Sequence, residues 1–386
     1  MGAGVLDLLQ CASEEPRSIY LLAGDESVVT KAGDKTHSLD FFFLGLLKKA
    51  IPGLSFFTLT LISTQQRCAY PICVEQMIRT EEEKASNQVK KQAKKAKSAG
   101  PKGKPGRPKG SRNKKKVEVD LNPELTHIQK MVQSLLKTIQ GTIRITYLVL
   151  DGHFGNHPAL HMVRQCQLNL ISKLRYDAAL FLPYVGPKPK CGPTSSLGEK
   201  VDVYKIPEAY LKETKVEDGF ETRTYQMQLL HREFDEPLNV VILLRINLTT
   251  KTWSNAILFS CDLELSYDKL IDFYGLRFQI EFNFWDAKQF WGLEDFMTVT
   301  PTAVTNAANL SLFMVDVSQV LMCDDRQNDP NFSVLDLKAY YRGCRYLLET
   351  FQMLPQKLDD NLVSQLFLKV AALGRIHPAK TLVPSG

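Results

Sequence analysis

Four residues late in the chain, Tyr274, Arg277, Glu281 and Lys288, stand at relative positions 0, 3, 7 and 14. At about 100° per residue they fall near 0°, 300°, 340° and 320° on an α-helix, so one narrow face carries all four. A carboxylate with a cation one turn before it and another two turns after suits a metal ligand beside phosphates. Arg grips a phosphate bidentately, Lys neutralises it as a point charge, and Tyr donates a hydrogen bond to the same backbone. The plain alternative is a solvated, salt-bridged helix face. Two aspartates stand where apolar runs stop: Asp25 behind Ser18–Ala23 and Gly24, and Asp151 behind Ile143–Leu150. There a carboxylate is presented at a sheet edge, although an Asp before Gly is also an ordinary turn residue. Glu26 is adjacent to Asp25, but neighbours on a strand face opposite ways, and Asp25 is the residue chosen.

The elements around these residues alternate. Ser18–Ala23, Leu54–Ser63 and Cys68–Val74 read as strands, the last two split by a Gln65-Gln66-Arg67 turn. Leu125–Ile139 has apolar residues at helical spacing, and Ile143–Leu150 is a strand. Pro158–Gln167 reads as a helix capped by Asn156 or His157, with Pro158 in its first turn, and Leu168–Leu174 as the next strand. This β-α-β order predicts an α/β sheet. After a Pro/Gly/Lys-rich loop at Tyr184–Ser195, strands are expected at Val201–Ile206, Arg223–Leu229, Asn239–Leu248 and Ile257–Cys261, a β-rich insertion. One helix is expected from Tyr267 to about Trp291, stopped by Gly292, and mostly helix from about 301 to 375.

The charge is concentrated. The chain of 386 residues carries 48 Lys and Arg against 42 Asp and Glu, and 13 of the basic residues lie in Lys90–Lys116, which has no acid. Without that window, 35 basic residues face 42 acidic ones, a net charge of −7. Residues 81–116 contain almost no large apolar side chain, so they cannot offset the entropy of ordering and read as a basic linker with an anionic partner, most often nucleic acid. The eight cysteines form no Cys-x-x-Cys pair, which argues against a zinc ribbon or thioredoxin motif and for reduced thiols. Apolar runs such as Leu238–Leu244 fall far short of the ~18 residues of a membrane span. The N-terminus lacks a basic leader region, so an intracellular protein is expected.

The pattern Tyr-x2-Arg-x3-Glu-x6-Lys is similar to the signature of a large group of bacterial insertion-sequence transposases of the DDE type. Leu150-Asp151-Gly152-x-Phe154-Gly155, followed by Leu170–Arg175, resembles that family's second Asp segment; Gly24-Asp25-Glu26-Ser27 with Thr30-Lys31-Ala32-Gly33 resembles the first. The resemblance runs from about Ile19 to Phe296 and implies a ribonuclease-H-like mixed sheet flanked by helices, a β-rich insertion before the catalytic helix, and a helical C-terminal region. The corresponding division is 1–80 and 123–185 for the two halves of the sheet, 81–122 linker, 186–262 insertion, 263–300 catalytic helix and 301–386 helical region. Asp25, Asp151 and Glu281 would be the catalytic residues and the ligands of two Mg²⁺ or Mn²⁺ ions; Tyr274, Arg277 and Lys288 would bind the DNA end. Expected partners are transposon-end and target DNA, with no membrane; a homodimer in the DNA complex and a cytoplasmic, nucleoid-associated location follow from the same resemblance. Such transposases usually carry a helical DNA-binding domain before the first Asp. Only 24 residues precede Asp25, so the sequence reads as N-terminally truncated or its start as misplaced. A catalytically inactive DNA-binding remnant, or a nuclease without strand transfer, are the rival readings.

Other residues are weighed the same way. Lys104–Gly110 is similar to an AT-hook, whose Gly-Arg-Pro core with Arg107 and Lys109 would enter a narrow A·T-rich minor groove; a lysine-rich segment touching phosphates is the plain reading. Asp262 could replace Asp25 in the triad but is expected to orient the return from the insertion, and Glu294 and Asp295 are expected at the surface. His153, His157 and His161 recur every four residues without Cys or a His-Glu-x-x-His pattern, so they read as helix-face histidines. Trp285 and Trp291 could stack on a flipped base, with core packing the plain alternative.

Overall fold

The computed structural model describes residues 19–45, 48–80, 119–140, 142–186, 197–354, 359–373 and 375–376. Arg107, Lys109 and the basic linker lie outside these residues.

Strand β1 (Tyr20–Thr30) is the spine of the site. It pairs antiparallel with β3 (Lys49–Ser63), which also pairs with β2 (Asp40–Leu44) and with β4 (Ala69–Gln76). On its other side β1 runs parallel to β5 (Ile145–Leu150), and β5 parallel to β6 (Asn169–Leu174). The parallel strands read as near-continuous apolar runs because both faces are covered. The remaining strands are β7 (Leu180–Pro183), β8 (Leu197–Lys200), β9 (Leu211–Glu217), β10 (Phe220–His231), β11 (Leu238–Asn247) and β12 (Trp253–Ser260). They are added beyond β6, so the β-rich stretch continues the same twelve-stranded sheet, ten strands in the order β2-β3-β1-β5-β6-β12-β11-β10-β7-β8 with β4 on β3 and β9 on β10 beside that path. This is a mixed α/β protein with a large mixed sheet and a helical C-terminal region, consistent with a ribonuclease-H-like domain.

Helices cover both faces. On one lie α1 (Pro123–Ile139) and α2 (His157–Gln165), packed on Tyr20, Leu22, Leu148 and Leu150. Their starts are local: Asn122 Oδ1 accepts from the Leu125 N–H at 2.7 Å, Asn156 Oδ1 from the Ala159 N–H at 3.0 Å, and each helix has Pro in its first turn. On the other face α3 (Tyr267–Leu276) packs on Leu21, Ala23 and Val149. Beside it α4 (Gln279–Phe290) and α5 (Pro301–Leu321) pack on Val29, Leu54 and Phe56. Then follow α6 (Cys323–Asn328), α7 (Val334–Gln352) and α8 (Asp360–Leu373). Among the described residues no helix is long and apolar enough to cross a membrane.

Three sequence expectations are corrected. The first strand does not stop at Asp25 but runs to Thr30, because β3 pairs with it along its whole length while β5 leaves at Leu150. Residues 201–206 form turns rather than a strand; their apolar residues pack on the sheet from a loop. The single helix from Tyr267 to Trp291 is two, α3 and α4. The Phe278, Ile280 and Glu281 N–H groups donate to carbonyls three residues back, a tightened turn that interrupts the α ladder. Gly292, at φ +75°, follows the end of α4 as expected.

Candidate active site

Alternation along β1 and β5 decides where the acids point. Leu21 and Ala23 face α3, as does Val149. With a period of two, Asp25 and Asp151 face the same way. Gly24 pairs with Leu150, so the two aspartates follow at the same level on adjacent parallel strands. Gly24 sits in a tight place: a Cβ would lie 2.7 Å from the Phe57 ring and 2.9 Å from the Leu150 methyl, so any side chain would force those two core side chains to shift beside both acids.

The tightened turn between α3 and α4 lies over this place and delivers Arg277 and Glu281. Arg277 Nη1 donates to Asp25 Oδ2 at 2.6 Å and Nη2 to Glu281 Oε1 at 3.0 Å. Asp25 Oδ1 accepts from the Glu26 backbone N–H at 2.8 Å. The side chains of Arg277 and Asp25 are 13% and 20% exposed against 43% for Glu281, so the pair is shielded while Glu281 opens to solvent. Burial pushes the Asp25 carboxyl above its ordinary value; Arg277 and the Glu26 N–H pull it down, and the charges of Asp151 and Glu281 push it up again. The guanidinium does not fully offset burial and repulsion. Burial works against the charged form of Arg277 too, but Asp25, Tyr274 and Glu281 outweigh it and hold the guanidinium protonated. Its Nε is buried without a partner among the described residues.

Tyr274 joins the cluster, with the Arg277 guanidinium carbon 5.9 Å from its ring centre. Burial raises its hydroxyl, Arg277 lowers it, and Asp151 and Asp25 raise it. Asp151 also caps the short 3₁₀ turn Gly152–Phe154 by accepting from the His153 N–H at 3.1 Å, the ordinary turn role its Gly neighbour suggested. Lys288 does not reach the cluster. Its Nζ donates to the Val28 carbonyl at 2.9 Å and pairs with Glu294 at 3.3 Å, one stretch further along β1. Glu281 and Lys288 both lie on α4, seven residues and about 10 Å of axial rise apart, so three of the four helix-face residues meet and the fourth lies beyond them.

The other candidates are separated from this place. Asp262 accepts from the Tyr147 hydroxyl at 2.6 Å and from the Glu264 N–H at 3.1 Å, orienting the chain after β12. Glu294 is the partner of Lys288, which sequence reading did not foresee. His153 pairs with Glu124, His157 with Asp235, and His161 contacts Gln165, so the three histidines do not converge. Trp291 packs among core residues; Trp285 is 54% exposed and meets the Phe290 edge. Lys31 donates to the Glu294 and Phe296 carbonyls at 3.0 and 2.7 Å and tethers the loop after α4. One residue missed from sequence is Lys173: it follows Ile171 by two on β6, so alternation puts it on the face of Asp151. Strand register was the signal, and it is not legible before the pairing is known.

Among the described residues no group of three His, Cys, Asp or Glu is arranged as a metal site. In donor chemistry the three acids still fit a hard divalent cation: all are carboxylates, and burial, with a smaller push from the charges of Asp151 and Glu281, raises Asp25, a condition a cation relieves. The guanidinium of Arg277 occupies two of them.

A family model described as DDE superfamily endonuclease matches residues 5–232. No curated protein matches the chain.

Proposed function

The chain belongs to the DDE superfamily endonucleases, and from that premise we propose that it is a DNA transposase that cleaves DNA at the ends of a mobile element and joins them to target DNA. The observation that carries this reading is the meeting of Asp25, Glu281 and Arg277, beside Asp151, at adjacent strands and one helix junction. The Tyr274, Arg277, Glu281 and Lys288 pattern supports the insertion-sequence class.

Nucleases of this superfamily normally use divalent metal ions. Asp25, Asp151 and Glu281 would hold two Mg²⁺ or Mn²⁺ ions, which when bound activate a water or 3′-hydroxyl and stabilise the leaving oxygen. The protein's own residues do the rest. Arg277 offers a planar fork to carboxylate or phosphate, so the two compete for it, and DNA entry would draw it from Asp25 and Glu281 to the scissile phosphate. Lys288 and Lys173 extend positive charge along the same sheet face, and Tyr274 offers a hydroxyl. In cleavage, water oxygen bonds to phosphorus as the bond to the 3′-oxygen breaks, leaving a 3′-hydroxyl. In joining, that hydroxyl oxygen bonds to a target phosphorus as the bond to the target's own 3′-oxygen breaks, leaving a 3′-hydroxyl on the target strand, and no covalent protein intermediate is needed. Arg107 and Lys109 in the basic linker would add phosphate or minor-groove contacts.

The test is nicking of supercoiled plasmid with Mg²⁺ or Mn²⁺ by wild type and Glu281→Gln. Metal-dependent nicking that disappears in the variant is expected. If both proteins bind the plasmid and neither cuts, the chain is a DNA-binding remnant. Supplying a free 3′-hydroxyl end and finding cut but never joined products would reduce the activity to hydrolysis.

A further inference from the structure

The C-terminal helices, beyond the residues matched to the family, carry a second feature that suits nucleic acid. Between α5 and α7 lies a pocket of about 400 Å³. Leu321 and Trp291 contribute to its apolar wall, Tyr341 lines it too, and Lys338, Arg342 and Arg345 are its charged residues; among the described residues no Asp or Glu lines it. The three cations recur at spacings of four and three along α7, which puts them on one helix face within about 60° of each other. Lys338 is tied to the Phe290 carbonyl at 2.8 Å and lies 5.0 Å from the Trp291 ring centre. Arg342 and Arg345 are exposed and have no carboxylate partner among the described residues. Tyr341 is 50% exposed, and the buried Trp291 indole N–H finds no acceptor among the described residues.

An apolar floor with aromatic side chains and a rim of one sign is what a single unpaired nucleotide needs. The base takes the aromatic and apolar surface, and the flanking phosphates take the guanidinium groups. A duplex, with its bases stacked inside, could use the rim but not the floor. Trp291 also closes the helix that carries Glu281, ten residues or about 15 Å of axial rise away, a distance of two or three nucleotides of extended strand. We propose that this pocket binds an unpaired base in a single-stranded DNA segment, with Arg342 and Arg345 on its backbone. The inference rests on the reading of the chain as a DNA-cutting enzyme.

The test is fluorescence anisotropy in EDTA with the full chain, comparing a blunt duplex with the same duplex carrying a five-nucleotide single-stranded tail. The basic linker should grip both, so the readout is the advantage of the tail. Wild type should prefer the tailed duplex. Tyr341→Ala should weaken tailed binding by about tenfold, and Arg342→Ala/Arg345→Ala should lower the salt slope for it by about 1.4, that is ~0.7 for each phosphate no longer neutralised. Unchanged blunt-duplex binding verifies that the variants fold. A tail advantage and slope equal to wild type in both variants would overturn the proposal. So would gel filtration showing that the arginine variant only alters self-association, which would make the face an interface between copies. Because EDTA removes cutting from the readout, a plasmid that is never nicked alongside an intact tail advantage sinks the transposase reading alone.

Discussion

Asp25 and Glu26 are neighbours on β1, yet the two faces they occupy solve their electrostatics in different ways. On the Glu26 side a groove of about 820 Å³ is lined by Glu26, Glu124, His127 and His153. Each acid there has a private partner: Glu26 accepts from the Ser55 hydroxyl, Glu124 pairs with His153 at 3.5 Å, and nearby Glu75 pairs with His127 at 3.0 Å. On the Asp25 side, Asp25 and Glu281 share one guanidinium, the charge of Asp151 acts on Asp25 as well, and burial raises Asp25 in spite of the guanidinium. In the first arrangement each acid has its own partner. The second holds negative charge in excess, which a cation would relieve, and that contrast is the ground for proposing it as the functional face. A larger cavity by itself does not, since DNA needs an open face more than a pocket.

The largest expected effect tests this contrast directly. Asp25→Asn should lower plasmid nicking at least about 10³-fold, a loss of ~4 kcal/mol of transition-state stabilisation. Glu26→Gln, one residue away on the other face, should stay within about threefold, because the hydrogen bond to Ser55 survives as an amide contact. Equal losses in both variants would break the comparison.

Much of this face was legible in the sequence, and the parts that were not have physical causes. Asp151 and Glu281 stood out because a strand end and helix periodicity are local properties, and Asp25 because an apolar run stops before it, although the strand itself runs on to Thr30. The β-α-β order around Asn122 and Asn156 was readable from caps and prolines. The interruption at Arg277 and Phe278 was hidden, since the hydrophobic period continues through it and only the hydrogen bonds change. The salt bridge from Arg277 to Asp25 spans 252 residues, and no local pattern encodes such a meeting. For the same reason Glu294 was read as a surface acid and Lys173 was not read at all.

Next in size is the guanidinium that distinguishes the two faces. Arg277→Ala leaves Asp25, only 20% exposed, without its counter-charge. Removing one partner of a buried pair costs about 3 kcal/mol, so the midpoint of urea unfolding near pH 7 should fall accordingly, and raising the pH should not restore it. A loss below about 0.5 kcal/mol would mean that the pair is effectively solvated and that Arg277 is free for other work.

Asp316 on α5 is what Asp25 would be without Arg277. It is 1% exposed, neither of its oxygens has a partner among the described residues, and burial pushes its carboxyl up to about 8. Its folded value lies above the unfolded one, so the unfolded chain releases the proton first and stability falls as pH rises from about 4 towards 8. Asn cannot titrate. The stability difference between Asp316→Asn and wild type should therefore move in favour of the variant by up to about 1.4 kcal/mol per pH unit in that window and level off above it. A difference that does not change with pH would show that the carboxyl is hydrated and ionised throughout.

The smallest effect belongs to the Glu26 side. His153 is raised first by its hydrogen bond to Glu124, against the pull of burial, and then by the charges of Glu124, Asp151 and Glu26. A histidine raised in the folded state contributes its stability below the unfolded value near 6.5, and loses it as pH rises through the folded one. The ring is 67% exposed, so solvent screens the pair and the contribution should be no more than about 0.5 kcal/mol. Glu124→Gln should thus be slightly less stable than wild type at pH 5.5 and indistinguishable from it at pH 8.5 in thermal unfolding. A loss of several kcal/mol at pH 5.5 would mean that charge on this face is as tightly held as on the other, and the argument from imbalance would no longer single out Asp25.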